Sequence, residues 1–210
     1  ILDGVIGGGR DGGVDSIYLF INGDYVREDY DFSSSKTKPT VDVFIIQSKT
    51  SKKYEELAIE KIKLFLNDIT DLSVDIDELA KKYNSDIIDK IILFQTMVKA
   101  LASKFPRYRF QMAYVTMGDS PSDGLLNQAR EATLLAKKFA RDTDASFGLI
   151  GATELLDLAR TEAKSTYILN FSEAPISHDN GKGFVGLVLL PEYYDFISDD
   201  NDELRRGIFE

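Results

Sequence analysis

Segments with the two-residue period of a strand alternate along this chain with longer segments of helical spacing. Apolar side chains recur at every second position over residues 14–21, and residues 41–47 are rich in β-branched and aromatic side chains. Apolar side chains then fall at helical spacing over residues 54–69 and 87–101. Alternating strands and helices favour a layered α/β fold. We therefore predict an α/β domain with a mixed central sheet flanked by helices.

The remaining segments extend this prediction along the chain. Asn22 and Gly23 form a strong hairpin signal, which predicts a return strand over residues 24–28. Residues 30–40 lack periodicity and contain a serine run, so we predict a mobile loop there. Asp123 is the predicted cap of a helix. Further strands are predicted at residues 110–117, 146–150, 167–171 and 184–190, and further helices at residues 73–84, 125–141 and 153–160.

Length and composition set the scale of the domain. A chain of 210 residues with 43% apolar side chains can bury a substantial core. We assign residues 1–190 to one domain and residues 191–210 to an acidic, aromatic tail that leads into a downstream region of the same protein. The chain begins at Ile1 rather than methionine, so we expect a processed product, a fragment of a longer protein, or further residues upstream of Ile1.

Composition also excludes several kinds of site. The absence of cysteine excludes disulfides, zinc–thiolate centres and a cysteine nucleophile, and it suits the reducing cytoplasm, which is the location we predict. No apolar run approaches the ~20 residues of a membrane helix, so we expect no membrane partner. The one histidine, His178, lies in a sequence typical of a turn, which favours a solvated residue over a catalytic triad.

The charge of the chain is unevenly distributed. A net charge of −10 argues against binding nucleic acid through a general positive field. Residues 33–53, however, contain five lysines and only one acid, Asp42. This island is either an ordinary lysine-bearing loop or a phosphate-attracting mouth, and the sequence leaves both interpretations open. In the second interpretation, four of these lysines hold the substrate backbone: Lys36, Lys38, Lys52 and Lys53.

Polar residues stand where one predicted strand begins and another ends. A glycine-rich segment, residues 7–13, runs into Asp15, which shares a strand face with the apolar side chains that follow. Gln47 and Lys49 share a face at the end of the other strand, and Ser48 points the opposite way. A metal-dependent phosphodiesterase needs a carboxylate to hold a cation and an ammonium to steady developing charge. The two motifs supply both groups.

Each of these polar residues also has a simpler interpretation. An aspartate after glycines often only caps a turn, and Asp11 is a second candidate for the acid beside Asp15. Gln47 and Lys49 are equally compatible with a strand that has ended in water, where two polar groups carry no desolvation cost. The sequence by itself leaves these alternatives open.

The glycines admit two functional interpretations. Gly12 and Gly13, which lie closest to the strand, are predicted to contact the substrate, because glycine lets the backbone approach a phosphate or a metal closely. Gly7, Gly9 and Gly12 also match the dinucleotide-binding spacing G-x-G-x-x-G. That fingerprint needs a strand before it and a helix after it, whereas here a strand follows the glycines. The order of elements therefore argues against a dinucleotide-binding oxidoreductase.

Together the motifs resemble a known nuclease superfamily. Asp15, followed by a hairpin and then by Gln47-Ser48-Lys49, is similar to the PD-(D/E)-x-K signature of restriction-endonuclease-like proteins, in the Mrr-type variant that carries glutamine in place of the second acid. More narrowly, four segments resemble the N-terminal part of the AIPR (abortive infection phage resistance) family: residues 12–23, 45–50, 190–194 and 204–210. The resemblance implies a restriction-endonuclease-like fold.

The resemblance also implies a role for each motif residue. Asp15 is the metal-binding, catalytic aspartate, Gln47 occupies the position of the second acid, and Lys49 is the catalytic lysine. The backbone carbonyl of Ser48 is a further metal ligand, and the metal is Mg²⁺ or Mn²⁺. A neutral amide such as that of Gln47 binds these hard cations more weakly than a carboxylate does.

The implied function is hydrolysis of nucleic-acid phosphodiester bonds in defence against phage. DNA is favoured over RNA as the substrate, and a homo-oligomer is a further expected assembly. The neutral Gln47 keeps a second hypothesis open, in which a catalytically degenerate nuclease fold binds nucleic acid or protein as a sensing module.

Overall fold

A computed structural model describes residues 4–118, 120–160, 168–178, 183–198 and 204 of this chain. The chain divides into two compact units, Ile1–Ala159 and Arg160–Glu210. The predicted domain of residues 1–190 extends over both units, and its functional boundary stays a prediction.

The first unit is built on a five-stranded mixed sheet, which confirms the predicted α/β class. The strands, numbered along the chain, are β1 (Ser16–Ile21), β2 (Asp24–Tyr25), β3 (Thr40–Lys49), β4 (Arg107–Thr116) and β5 (Thr143–Ile150). β1 is antiparallel to β2 and β3, whereas β3, β4 and β5 are parallel, and the order across the sheet is β2-β1-β3-β4-β5. The start of β1 therefore lies at the same edge as the ends of β3, β4 and β5, and we name this the carboxyl edge.

Helices connect the parallel strands of the first unit. Three helices link β3 to β4, one links β4 to β5, and a fifth follows β5: α1 (Glu56–Thr70), α2 (Ile76–Lys82), α3 (Ser85–Leu101), α4 (Asp123–Lys137) and α5 (Ala152–Arg160). The side chain of Asn84 caps α3 by accepting a hydrogen bond from the Ile87 N–H at 3.0 Å. The hydroxyl of Ser122 accepts one from the Leu125 N–H at 3.2 Å. Ser122, and not the predicted Asp123, is therefore the cap of α4.

The hydrophobic core lies on one face of the sheet. Val43 and Ile45 of β3 are fully buried there, beside Phe110 of β4. Phe94 of α3 packs edge-on against Phe110 with the ring centroids 6.1 Å apart. Burial of one such side chain contributes about 1.5–3 kcal/mol, so this face anchors the strands firmly. The opposite face of the sheet is less covered, so side chains there, such as Phe44, are only half-buried.

Two predicted segments between β1 and β3 differ from the structure. The return strand is limited to the two residues of β2. The predicted mobile loop contains a short 3₁₀ turn and is tied to the end of α3 by Lys104. The Lys104 ammonium donates to the carbonyl oxygens of Phe32, Ser33 and Ser35 at 2.9, 2.8 and 2.7 Å. The loop is anchored by a residue that lies far away in the sequence.

The second unit contains a small hairpin and one helix. Its elements are β6 (Ile176–His178), β7 (Gly183–Val185) and α6 (Leu190–Ile197), and the two strands are antiparallel. The strand predicted over residues 167–171 is wrong for residues 168–171, and Tyr167 lies outside the described residues. His178 ends β6, and its predicted solvation stays a prediction. Within the described part of the chain, no helix combines the length and the hydropathy needed to cross a membrane.

Candidate active site

The carboxyl edge of the sheet brings the two sequence motifs together. Ser16 of β1 pairs with Ile46 of β3, so Asp15 stands directly beside the end of β3. The Asp15 N–H donates to the Ile46 carbonyl oxygen at 2.8 Å, which continues the ladder by one residue. Ligands of open α/β sheets bind at this edge, outside the carboxyl ends of the strands. The edge is therefore the candidate active site.

The carboxylate of Asp15 is held in place by Ser48. Its Oδ2 accepts hydrogen bonds from the Ser48 N–H at 2.5 Å and from the Ser48 hydroxyl at 2.8 Å. The other oxygen, Oδ1, has no hydrogen-bond donor among the described residues. Because an ionised carboxylate is only an acceptor, Oδ1 can bind a cation or a donor while Oδ2 fixes its direction.

The backbone carbonyl of Ser48 also faces this side of the strand. Within a β-ladder the N–H and the C=O of one residue point toward the same neighbouring strand. The Ser48 N–H meets the Asp15 carboxylate, so the Ser48 carbonyl is directed to that side as well. This direction agrees with the role that the resemblance implies for it.

Gln47 presents a buried acceptor at the same edge. Its side chain is only 3% exposed and lies on the core face, beside Tyr114 of β4. The Oε1 atom is buried and has no hydrogen-bond partner within the described part of the chain. An unpaired buried amide costs about 1–3 kcal/mol, a cost that a bound cation or donor would remove. The alternative in which Gln47 is solvated at a finished strand is therefore wrong.

The lysines that follow Gln47 are exposed at the carboxyl edge. Lys49 is the last residue of β3, and its ammonium has no partner among the described residues. Lys52 and Lys53 lie in the next turn, where the Ser51 carbonyl accepts a hydrogen bond from the Met117 N–H at 3.0 Å. This bond ties the turn to the end of β4. Three of the five predicted lysines therefore share one edge with Asp15.

Lys36 and Lys38 lie at the other edge of the sheet. Both precede Thr40, the first residue of β3, whereas Asp15 stands beside its last residues. A strand of ten residues is about 30 Å long, so these two lysines are not brought to Asp15. The expected five-lysine mouth is not formed, because an extended strand separates its flanking residues by its whole length.

Gly12 and Gly13 are needed for packing. A Cβ on Gly12 would lie 2.4 Å from a ring carbon of Tyr83, and one on Gly13 would lie 2.5 Å from Cδ of Lys61 and 3.0 Å from Oε1 of Gln47. Both glycines have positive φ, at +64° and +76°. Their predicted contact with substrate is untested. Lys61 is a neighbour that the sequence did not reveal, because helical spacing places it on an ordinary solvated face of α1.

The residues at this edge match a hard divalent cation in the type of donor. Asp15 Oδ1, Gln47 Oε1 and the Ser48 carbonyl are all oxygen atoms, which Mg²⁺ and Mn²⁺ prefer. Asp15 supplies the one negative charge of this set. Across the described residues, no group of three or more His, Cys, Asp or Glu side chains is placed to hold a metal ion.

No protein-family model, curated protein or solved structure matches this chain. Its function is therefore inferred from the chemistry of the carboxyl edge.

Proposed function

We propose that this chain is a restriction-endonuclease-like nuclease domain of the AIPR type, which hydrolyses nucleic-acid phosphodiester bonds in defence against phage. The observation that carries the proposal is the meeting of Asp15, Gln47, Ser48 and Lys49 at the carboxyl edge of a mixed sheet. The reaction adds water across one P–O bond and yields a phosphate monoester and an alcohol. DNA is the substrate of first choice.

Three oxygen atoms of the chain would hold the cation. They are Asp15 Oδ1, Gln47 Oε1 and the carbonyl of Ser48, and the two hydrogen bonds from Ser48 keep the Asp15 carboxylate from rotating away. When bound by these atoms, Mg²⁺ or Mn²⁺ would polarise the phosphate and would lower the pKa of a coordinated water.

Lys49 acts on the phosphate from the end of β3. Its exposed ammonium donates to a phosphate oxygen as negative charge develops there, and a fixed cation at that point stabilises the transition state. Lys52 and Lys53 contact neighbouring backbone phosphates without reading sequence. Lys36 and Lys38 have no part in this scheme, since they lie at the other edge.

Calorimetric titration with Mg²⁺ and Mn²⁺ tests the metal site. We expect the unchanged chain to bind at least one of these ions and the Asp15→Ala variant to lose that binding, because the only charged ligand of the proposed set is gone. Asp89→Ala, at an exposed carboxylate on α3, is the matched control and should bind like the unchanged chain. Equal binding by Asp15→Ala and Asp89→Ala would contradict the proposed site.

A second candidate function is a degenerate nuclease fold that binds without cutting. The neutral amide of Gln47 in the position of an acid favours it, because an amide holds a hard cation weakly. This candidate predicts binding of nucleic acid or protein with no turnover that depends on a divalent metal. A strict requirement for Mg²⁺ or Mn²⁺ in cleavage would rule it out.

A further inference from the structure

A small cleft opens between the glycine-rich turn and two helices, beside the candidate active site. Its volume is about 300 Å³, and its walls are residues 10–13, Lys61 and Leu64 of α1, and Lys82 with Tyr83 at the end of α2. Leu64 is 54% exposed, so the cleft has an apolar wall that water reaches. We name this feature the basic cleft.

The basic cleft carries a small excess of positive charge, although the whole chain carries a net charge of −10. The cleft holds three cations, Arg10, Lys61 and Lys82, against one acid, Asp11. Lys82 is neutralised by an ion pair with Asp68, outside the cleft. Arg10 makes one long hydrogen bond, of 3.4 Å, to a backbone carbonyl of α2. Lys61 has neither a hydrogen bond nor an ion pair among the described residues, so its charge is available to a ligand.

The basic cleft adjoins the candidate active site through a single glycine. The stem of Lys61 and Oε1 of Gln47 both lie against Gly13. A Cβ placed on this glycine would be 2.5 Å from Cδ of Lys61 and 3.0 Å from Oε1 of Gln47. The Lys61 ammonium is two bonds beyond the Cδ atom that makes this contact. A nucleic-acid backbone that passes Gln47 at the carboxyl edge would therefore reach Lys61 with its neighbouring phosphate.

We propose that the basic cleft binds the phosphodiester next to the one that is cut, with Lys61 as its principal cation and Arg10 as a second. The inference rests on the proposed function, because that function places the cut phosphodiester beside Gln47. A ligand with a charged group and an apolar flank fits the cleft, since its lining is mainly apolar and suits a sugar, while Lys61 and Arg10 supply positive charge for the phosphate. Lys61 positions the strand and takes no part in bond breaking.

Fluorescence anisotropy with a labelled single-stranded oligodeoxynucleotide in EDTA tests this inference without any cleavage. Lys61→Met keeps the aliphatic stem over Gly13 and removes the charge. We expect this variant to bind more weakly, with the slope of log K against log [KCl] less negative by about 0.7, which is the loss of one phosphate contact on a single strand. Lys61→Arg should restore the slope, because it restores the charge.

Lys99→Met, at an exposed lysine in the last turn of α3, is the matched control and should bind like the unchanged chain. The inference is overturned if Lys61→Met and Lys99→Met bind alike, or if the unchanged chain does not bind the probe. A chain that binds through Lys61 but never cuts with Mg²⁺ overturns only the proposed function. Parallel probes of RNA and duplex DNA show which polymer supplies the phosphodiester, by the one whose binding depends on Lys61.

Discussion

The two edges of the sheet use lysine in opposite ways. At the carboxyl edge, the ammonium of Lys49 is exposed and has no partner among the described residues. At the other edge, the ammonium of Lys104 donates to three backbone carbonyls at 2.7–2.9 Å and closes the loop before β3. An ammonium has three donors, so Lys104 is saturated, whereas Lys49 donates to none of the described residues. The comparison separates a lysine that builds the fold from one that is free for a ligand.

The backbone does not show the same contrast, because non-glycine residues with positive φ occur at both edges. At the carboxyl edge positive φ occurs at Gly12 and Gly13, where glycine adopts it without a steric penalty, and also at Arg10, with φ of 59°. At the other edge it occurs at Lys38 and Phe105, with φ of 57° and 54°. There the Lys38 N–H donates to the Lys104 carbonyl at 2.8 Å, which holds the strained turn in place. The edge without the candidate site is thus stabilised by a network of specific hydrogen bonds.

The largest effect is expected from Lys49→Ala. If Lys49 is free for a substrate, its loss should lower metal-dependent cleavage of DNA by about 100- to 1,000-fold, because one fixed donor to the developing charge is removed. The melting temperature should stay unchanged. Lys36→Ala is the control from the other edge and should keep its cleavage rate. Equal rates of DNA cleavage by Lys49→Ala and Lys36→Ala would contradict the difference between the two edges.

A smaller effect, on stability alone, is expected from Lys104→Met. Its removal leaves the carbonyls of residues 32, 33 and 35 without their donor, and we expect the free energy of unfolding to fall by about 2 kcal/mol. Lys49→Met should change it by less than about 0.5 kcal/mol, as is usual for an exposed side chain. Urea denaturation of both variants measures the difference. Equal stabilities would show that the loop does not depend on Lys104.

A further effect, confined to high pH, concerns the stability of the fold. Burial raises the pKa of Tyr108, on the side of Lys104, to about 12. In the unfolded chain the Tyr108 hydroxyl ionises near pH 10. The stabilising contribution of neutral Tyr108 is therefore complete below pH 10 and is lost as the pH rises to about 12. We expect Tyr108→Phe to lessen this loss by about 1 kcal/mol per pH unit in urea denaturation. An unchanged slope would contradict the assignment.

Tyr83, beside the basic cleft, is a second buried tyrosine whose ionisation destabilises the fold at high pH. Burial raises its pKa as well, and Asp68 accepts a hydrogen bond from its hydroxyl. The neutral form is therefore favoured by burial and by a specific partner together. Its contribution also begins to fall near pH 10, so Tyr83→Phe should remove a second part of the slope.

Local patterns predicted most of the first unit. The period of two over residues 14–21 and the β-branched run over residues 41–47 correspond to β1 and β3, and helical spacing predicted α1 and α3. The weaker patterns of the second unit succeeded only in part. The strand predicted over residues 184–190 overlaps β7 at residues 184–185, whereas residues 168–171 carry strand-forming side chains and form no strand. Propensity alone does not make a strand where no partner pairs with it.

The candidate site was predictable in part, for a similar reason. Strand parity predicted the face on which Asp15 and Gln47 lie, the resemblance assigned them to one site, and the structure brings them to one edge. The island of five lysines was a neighbourhood in sequence only, since β3 carries its two ends apart. Lys61 comes from a helix that follows both motifs, and only packing places it over Gly13.

Local sequence patterns account for the alternation of strands and helices, the face on which each strand residue lies, and the presence of an acid and a lysine at strand ends. Those properties follow from periods of two and 3.6 residues, which neighbouring residues settle. The surroundings of Lys104 and Lys61 depend on tertiary packing. Lys104 and the carbonyl of Phe32 are 72 residues apart, and Gly13 and Lys61 meet only when α1 packs beside the glycine-rich turn. Helical spacing accounts for a lysine paired within its own helix, such as Lys63 with Glu60, but it does not account for contacts made across the fold.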